Sequence, residues 1–180
     1  MNQKLSIKLE PSQVTCIIDT REQLPLDLAP LRTEVASLQT GDYALAGCDD
    51  IRIERKSLPD LVACVGVERD RFTREVERLL AFRVRILLVE ATWEQIESHE
   101  PAFPQWRGKV SRESVIGSLL GWQAMGLSIH IAGDHARAGK HVARIFLRWQ
   151  RGATASYFRY YNKRGLHNHG TVKYCQLPSD

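Results

Sequence analysis

The segment 41–60 constrains the fold of this 180-residue chain more than any other. It holds two short runs in which apolar and polar residues alternate, and Ile51 and Ile53 are the apolar members of the second run. Such alternation is typical of strands with one buried face. The tetrad 47–50, Gly-Cys-Asp-Asp, separates the runs and is rich in turn-forming residues. The sequence therefore predicts a β-hairpin with its turn at this tetrad.

Three side chains that can support chemistry lie at the open end of the predicted hairpin. Asp42 begins the first run, and Glu54 and Lys56 share the polar face of the second. If residue 48 is the centre of the turn, Asp42 lies opposite Glu54, and opposed residues project to the same face. Two neighbouring carboxylates repel each other unless a cation lies between them, and oxygen ligands suit Mg²⁺ or Mn²⁺. The alternative is a solvated Glu–Lys pair, because a Glu-x-Lys tripeptide alone is common.

A longer pattern surrounds these three residues: a Gly-Asp pair, a spacer, a Glu-Arg-Lys triplet and a further acid, at positions 41, 42, 54–56 and 60. This pattern resembles the nuclease motif of the XPF/Mus81 (ERCC4-type) structure-specific endonucleases, which belong to the wider PD-(D/E)xK nuclease fold. The segment 19–22, Asp-Thr-Arg-Glu, is similar to the first acidic motif of that family. The resemblance covers roughly residues 14–149, and the composite is highly specific although each piece alone is weak.

The resemblance implies a metal-dependent DNA endonuclease that hydrolyses phosphodiester bonds at branched or structured DNA, such as flaps, forks and junctions. The implied cofactor is Mg²⁺ or Mn²⁺, with no nucleotide cofactor. Asp42 and Glu54 are expected to hold one or two ions, and Asp19 or Glu22 to complete the shell. Lys56 is expected to orient the attacking water or to stabilise developing charge. An alternative for Asp19 is that it caps a turn or pairs with Arg21.

Arg55 is a further candidate catalytic residue under the resemblance, and Asp60 and Glu90 are expected to support the site. Each of the three has a structural alternative. The family match implies that Arg55 matters, whereas strand alternation places it on the opposite face, where we expect a supporting salt bridge with Asp60 as the candidate partner. Asp60 also follows the predicted N-cap Ser57, in a helical first turn where negative charge is favoured. Glu90 ends the predicted strand 84–90 and resembles the closing acid of the family, or it caps the next helix.

A predicted helix at 69–82 matches the family only in part. The family carries a Gly-Arg-aromatic-x-x-Gln signature here, with its arginine close to the metal site. Arg71 matches that arginine, whereas Asp70 and Glu75 replace the glycine and the glutamine. A solvated helix face is the alternative for Arg71. If the glutamine holds the helix over the site, Glu75 puts that contact in doubt.

The order of predicted elements indicates an α/β fold with a mixed central sheet flanked by helices, as in the PD-(D/E)xK core. A buried strand at 14–18 and an irregular connector at 24–31 precede a three-strand meander formed by 34–38 and the hairpin. Helices then alternate with strands at 84–90 and 127–132, and the first of these is apolar enough to be central and covered on both faces. The hairpin acids are expected on the sheet surface at its edge, open to a long polyanion.

Composition divides the chain unevenly. The 43% of hydrophobic and 26% of charged residues are typical of a globular protein. The net charge of +4 belongs to residues 151–180, which hold five basic residues and one acid, so residues 1–150 are balanced. We expect a loose lead-in at 1–13, a nuclease domain at 14–150 and a basic, aromatic tail at 151–180. Such a tail attracts phosphates and can stack on bases, or it is an extension without a fold.

The expected partner is DNA. The apolar stripe of the last predicted helix, at 142–149, is either core or a subunit interface, and the resemblance implies a homodimer. No run reaches the length of a membrane span, no signal-peptide core is visible and the cysteines are dispersed, so we expect a cytoplasmic, prokaryotic or phage-encoded protein, or a nuclear one if eukaryotic. The basic residues expected to contact DNA are Arg21, Arg71, Arg159, Lys163 and Arg164.

Two other functions stay open. A non-catalytic DNA-binding or scaffolding subunit is one, although such partners in the family typically lack the acids that this chain has. A Holliday-junction resolvase of the same fold is the other.

Overall fold

The computed structural model describes residues 9–98 and 110–163, with the side chains of its last helix described up to residue 152. A short 3₁₀ helix, Pro11–Gln13, precedes the first strand. The strands are β1 (Thr15–Asp19), β2 (Arg32–Ala36), β3 (Tyr43–Leu45), β4 (Cys48–Ser57), β5 (Val84–Glu90) and β6 (Ser128–Ile131). The helices are α1 (Leu58–Val65), α2 (Arg69–Leu79), α3 (Trp93–Glu97), α4 (Arg112–Ala124) and α5 (His135–Lys163).

The strands form one six-stranded sheet in the order β2-β1-β3-β4-β5-β6. Strands β1 and β2 are parallel, β3 is antiparallel to both of its neighbours, and β4, β5 and β6 are parallel. Five strands therefore point the same way and only β3 points the other way. The predicted α/β fold with a mixed central sheet is confirmed.

Two predictions about the sheet are wrong. The strand expected to form a meander with the hairpin is β2, which lies at the outer edge and pairs with β1 instead. Parallel pairing needs a crossover connection, which the irregular segment between β1 and β2 supplies. Because β1 takes the place next to β3, the hairpin lies in the middle of the sheet rather than at its edge.

The hairpin has the predicted register but a shorter turn. Tyr43 pairs with Ile53, as a centre at residue 48 requires. The register shifts further along, so that Leu45 pairs with Cys48 and only two residues form the turn. Gly47 in that turn has a φ of +69°, which residues with a side chain rarely adopt. The tetrad predicted as the turn is therefore mostly part of β4.

Strand β5 shows how the two faces of the sheet are covered. Ile86 and Leu88 pack into a core beneath α5, while Leu87 and Val89 pack into a second core with α1, α2 and α4. All four are at most 3% exposed. The prediction of a central strand with both faces covered is confirmed.

The ends of the described chain differ from the expected lead-in and tail. Leu9 is only 2% exposed and packs into the core under α5, so this part of the lead-in is ordered. Helix α5 runs through the predicted boundary at 151 as far as Lys163. Residues 1–8 and 164–180 lie outside the described residues.

The apolar stripe of α5 divides into two parts. Val142 and Phe146 are fully buried against the sheet. Ile145 and Trp149 are partly buried and line an open groove of about 440 Å³ together with Ile51. Half of the stripe is therefore core, and its use as a subunit interface stays a prediction.

Candidate active site

The topology gathers the sequence-predicted residues at one end of the sheet. Strands β1, β4 and β5 all end there, and the antiparallel strand β3 begins there. Carboxyl ends of parallel strands are a frequent place for ligand sites in α/β proteins. The residues that reach this end are Asp19, Asp42, Glu54, Arg55, Lys56 and Glu90.

Asp42, Glu54 and Lys56 come together at the open end of the hairpin. The N–H of Asp42 donates to Ile53 O at 2.9 Å, and Asp42 Oδ2 accepts from the N–H of Arg55 at 2.7 Å. Lys56 Nζ forms an ion pair with Glu54 Oε1. The side chains of Glu54 and Lys56 are only 7% and 12% exposed. Two acids and one ammonium group thus share a small, largely dehydrated volume.

Burial dominates the electrostatics of this cluster. It raises the pKa of Glu54 to about 7, with Lys56 opposing the rise and Asp42 adding to it. Burial also raises the pKa of Asp42, again against the charge of Lys56. Burial alone would lower the pKa of Lys56, but the charges of Glu54 and Asp42 raise it. The positive charge of Lys56 therefore does not fully offset the effect of burial, and the pKa values of both carboxyl groups stay raised.

The acid pair fits a divalent cation. Within the described residues no donor reaches Asp42 Oδ1 or Glu54 Oε2. Mg²⁺ is commonly held by one or two carboxylates and takes its other ligands from water and phosphate oxygens. Over residues 9–98 and 110–163, no group of three or more His, Cys, Asp or Glu side chains is arranged to hold a metal ion. Among the described carboxylate side chains, Asp42 and Glu54 are therefore the pair proposed to hold such a cation, without a third side chain of these four types beside them.

Asp19 points its carboxylate to other partners. Its Oδ1 accepts from Arg21 Nε at 2.6 Å and from the N–H of Arg21 at 2.9 Å, and its Oδ2 accepts from the N–H of Leu38 at 2.6 Å. Although burial opposes it, these donors lower the pKa of Asp19. The structure therefore shows the alternative pairing of Asp19 with Arg21. Arg21 itself is exposed at 68% of its side chain.

Arg55 forms a buried ion-pair network on the other side of β4. Its Nε and Nη2 donate to the two carboxylate oxygens of Glu90 at 2.7 and 3.1 Å, and its Nη1 donates to Glu22 Oε1 at 2.9 Å. All three side chains are at most 11% exposed. Glu22 therefore forms an ion pair with Arg55, and Tyr43 Oη donates to the second carboxylate oxygen of Glu22 at 3.4 Å.

The predicted salt bridge between Arg55 and Asp60 is wrong. Asp60 is exposed in the first turn of α1, where its N–H donates to the N-cap Ser57 at 3.3 Å. Ser57 Oγ donates back to Asp60 Oδ2 at 2.6 Å. Ser57 is thus the predicted N-cap, and Asp60 lies in the first turn of the helix, where negative charge is favoured.

Glu75 links α2 to the segment that directly precedes Asp42. Its Oε1 accepts from Thr40 Oγ1 and from the N–H of Gly41 at 3.4 Å, directly before Asp42. Although burial opposes it, the bonds from Thr40 and Arg78 lower the pKa of Glu75. The contact that the glutamate had put in doubt is present. The feature of the sequence that pointed to this contact was the position of Glu75 within the family signature.

Two other side chains differ from expectation. Arg71 is 57% exposed and pairs with Glu68, which is the solvated-face alternative. His135, which the sequence analysis missed, places Nδ1 2.9 Å from Glu90 Oε1 at the start of α5. The only signal for its position was the adjacent Asp134, whose side chain caps α5 by accepting from the N–H of Arg137 at 2.7 Å.

The DNA-binding predictions for the far end of the chain fall at the limit of the structure. Arg159 and Lys163 lie on the described backbone of α5, and Arg164 lies outside the described residues. Among the described helices, none is both long and apolar enough to cross a membrane.

The fold and the acid pair define a class, an α/β domain with two carboxylates and a lysine clustered at the carboxyl end of its sheet. Residues 18–145 match the family model of the ERCC4 domain. The chain therefore belongs to the ERCC4-domain family, and the resemblance stated from its motifs is confirmed.

Solved structures show the same fold. XPF from Aeropyrum pernix aligns with a TM-score of 0.56 and 18% identity over 85% of this chain and 75% of its own. XPF from Aeropyrum pernix in complex with DNA aligns with a TM-score of 0.53 and 19% identity over 84% of this chain and 82% of its own. A comparison with curated protein sequences found no match.

Proposed function

We propose that this protein is a metal-dependent endonuclease that hydrolyses phosphodiester bonds at branched or structured DNA. One observation carries the proposal: Asp42 and Glu54 lie together with Lys56, and each acid has one oxygen to which no described residue donates. Membership of the ERCC4-domain family supports it. A relative of the same fold is known in complex with DNA, which supports DNA as the substrate.

The proposed cofactor is Mg²⁺ or Mn²⁺, held by Asp42 and Glu54. Such an ion would supply Lewis acidity toward a phosphate oxygen and a nucleophilic water at neutral pH. The protein's own contribution is to fix the two acids. The N–H of Arg55 holds Asp42 Oδ2, and the bonds of Glu75 to Thr40 and Gly41 hold the chain before Asp42.

Lys56 has an electrostatic role in this proposal. Although burial opposes it, the charges of Glu54 and Asp42 raise the pKa of Lys56, which favours the protonated side chain in the metal-free protein. A buried ammonium group can stabilise charge that develops on a phosphate oxygen, because the low local dielectric strengthens the interaction. Its hydrogen bond with Glu54 keeps it beside the same acid that would bind the ion.

Asp42→Asn and Glu54→Gln test the proposal. Each removes a negative charge from the proposed ion site with little change of shape, so cleavage of flap, fork and splayed-arm DNA in Mg²⁺ should fall by about 10²–10³-fold. The matched control is Asp49→Asn, which removes a carboxylate whose side chain is fully exposed in β4 and should leave cleavage unchanged. Initial cleavage rates are the measurement, and circular dichroism checks that each variant folds.

Several results would change the proposal. Cleavage that persists in EDTA would exclude the metal. Tight binding of branched DNA without cleavage by the unmodified protein would identify a scaffolding subunit instead. Symmetric paired cuts on a four-way junction, with none on flaps, would identify a resolvase. A homodimer, which the family resemblance implies, and a cytoplasmic or nuclear location belong to the same proposal.

A further inference from the structure

The exposed face of α5 carries charge of one sign only. From residue 135 to residue 152 the helix contains five basic residues and no Asp or Glu. All five are exposed. We call this set the basic stripe, and it consists of Arg137, Lys140, Arg144, Arg148 and Arg151.

The spacing of these residues aligns them along one side of the helix. Steps of three and four residues at about 3.6 residues per turn keep all five within roughly a quarter of the circumference. The opposite side of α5 is buried against the sheet through Ala138, Val142 and Phe146. The basic stripe therefore faces away from the sheet, toward solvent.

The middle of the stripe has no acidic partner. In the part of the chain that the structure describes, no carboxylate lies within ion-pair distance of Lys140, Arg144 or Arg148. At the ends, Arg137 Nε lies 3.5 Å from Asp134, and Arg151 Nη2 donates to Leu9 O at 3.1 Å. Like charges three or four residues apart destabilise a helix, and a polyanion along this face would relieve that repulsion.

We propose that the basic stripe binds the phosphate backbone of double-stranded DNA beside the site of cleavage. The choice of DNA rests on the proposed function. The stripe spans about 21 Å, because a helix rises about 1.5 Å per residue from Arg137 to Arg151. Phosphates of one strand recur about every 3.4 Å along the duplex axis, so the stripe covers roughly six base pairs.

The position of α5 connects the stripe with the candidate active site. The helix begins at His135, whose Nδ1 lies 2.9 Å from Glu90 Oε1 in the Arg55 network. The stripe therefore starts next to the carboxyl end of the sheet and leads away from it, as one arm of a branched substrate would.

The chemistry of the stripe fits duplex rather than single-stranded DNA. Proteins that bind single strands stack bases on exposed aromatic rings. Trp149 lies beside the stripe, but it is partly buried and Arg83 lies over its ring at 5.5 Å. Arginine and lysine on a flat helical face contact phosphates without reading bases, so the binding should be independent of sequence.

The test compares two double variants of the full chain that remove the same net charge. Arg144→Gln/Arg148→Gln removes two stripe residues, and Arg32→Gln/Arg112→Gln removes two exposed arginines from β2 and α4. Binding to a plain 20-base-pair duplex is measured in EDTA over a range of salt concentrations. Since each phosphate contact contributes about 0.9 to the slope of log affinity against log salt, the stripe variant should lose about 2 from that slope and bind more weakly. The control should keep the slope of the unmodified protein.

The proposal is overturned if the stripe variant keeps the full slope, or if both variants lose slope equally, which would indicate a general charge effect. Polyglutamate that competes as well as duplex would identify an acidic protein as the partner. A change of sedimentation coefficient with an unchanged slope would identify self-association. Because no metal is present, these results do not depend on whether Asp42→Asn abolishes cleavage.

Discussion

At the scale of single residues, Arg55 is the centre of the charge network behind the acid pair. Its guanidinium group joins Glu22, from the loop after β1, to Glu90 at the end of β5, while its own N–H holds Asp42. A buried ion pair adds little net stability when whole, but removal of one partner leaves an uncompensated buried charge. The arginine therefore links the stability of the sheet's carboxyl end to the position of an acid in the site.

Arg55→Met should lower the free energy of unfolding by about 3–5 kcal/mol, because Glu22 and Glu90 then lack their shared cation. Urea unfolding in EDTA measures the loss. The double variant Arg55→Met/Glu90→Gln should recover part of the lost stability, because it also removes one of the two uncompensated buried carboxylates. Arg74→Met, at an exposed position of α2, is the control and should change stability by less than about 0.5 kcal/mol. An equal loss in both single variants would contradict the network's role.

At the scale of elements, α5 approaches the irregular connector between β1 and β2 at a glycine. A Cβ added at Gly139 would lie 2.3 Å from Asp27 O and 3.4 Å from Asp27 N, both backbone atoms. At Gly121 in α4, by contrast, an added Cβ meets no atom within 4 Å. A glycine-to-alanine substitution is therefore expected to lower the stability of the protein in α5 and to raise it in α4.

Gly139→Ala should destabilise the protein by about 1–3 kcal/mol, since the connector must move to admit a methyl group. This loss should outweigh the roughly 1 kcal/mol by which alanine favours a helix over glycine. Gly121→Ala should gain up to about 1 kcal/mol, because only the helix preference acts there. Thermal unfolding by circular dichroism measures both, and a shift in the same direction for the two variants would contradict the packing of α5 on the connector.

At the scale of the whole molecule, one sheet separates two hydrophobic cores. Leu88 belongs to the core under α5, and its neighbour Leu87 belongs to the core under α1, α2 and α4. Trp122 lies in the second core, and Trp149 packs beside the first. Because both cores are built on the same strands, neither can lose its packing without disturbing the sheet that supports the other.

Leu87→Ala and Leu88→Ala should therefore each cost about 2–5 kcal/mol and leave a single unfolding transition. Each variant creates a cavity on one face of the same strand. Urea unfolding followed by circular dichroism and by tryptophan fluorescence should give coincident curves for both. Separate transitions by the two probes would show that the cores unfold independently.

The sequence by itself determined the local features of this protein. The alternation around Ile51 and Ile53 predicted β4 and the register of its hairpin, and the apolar run of β5 predicted a strand covered on both faces. The predicted N-cap Ser57 marked the start of α1. These features depend on the period of side chains and on hydrogen bonds within a few residues, so their information lies within one segment.

Only the tertiary structure decided how those segments combine. The place of β2 outside β1, the pairing of Arg55 with Glu22 and Glu90, and the contact of Glu75 with Thr40 all join residues distant in sequence. Strand order depends on which crossover packs best, and a long charged side chain can reach several partners on different elements. Strand order and ion pairing therefore depend on burial and on competition among groups distant in sequence. The spacing of residues along the chain does not predict the outcome of that competition.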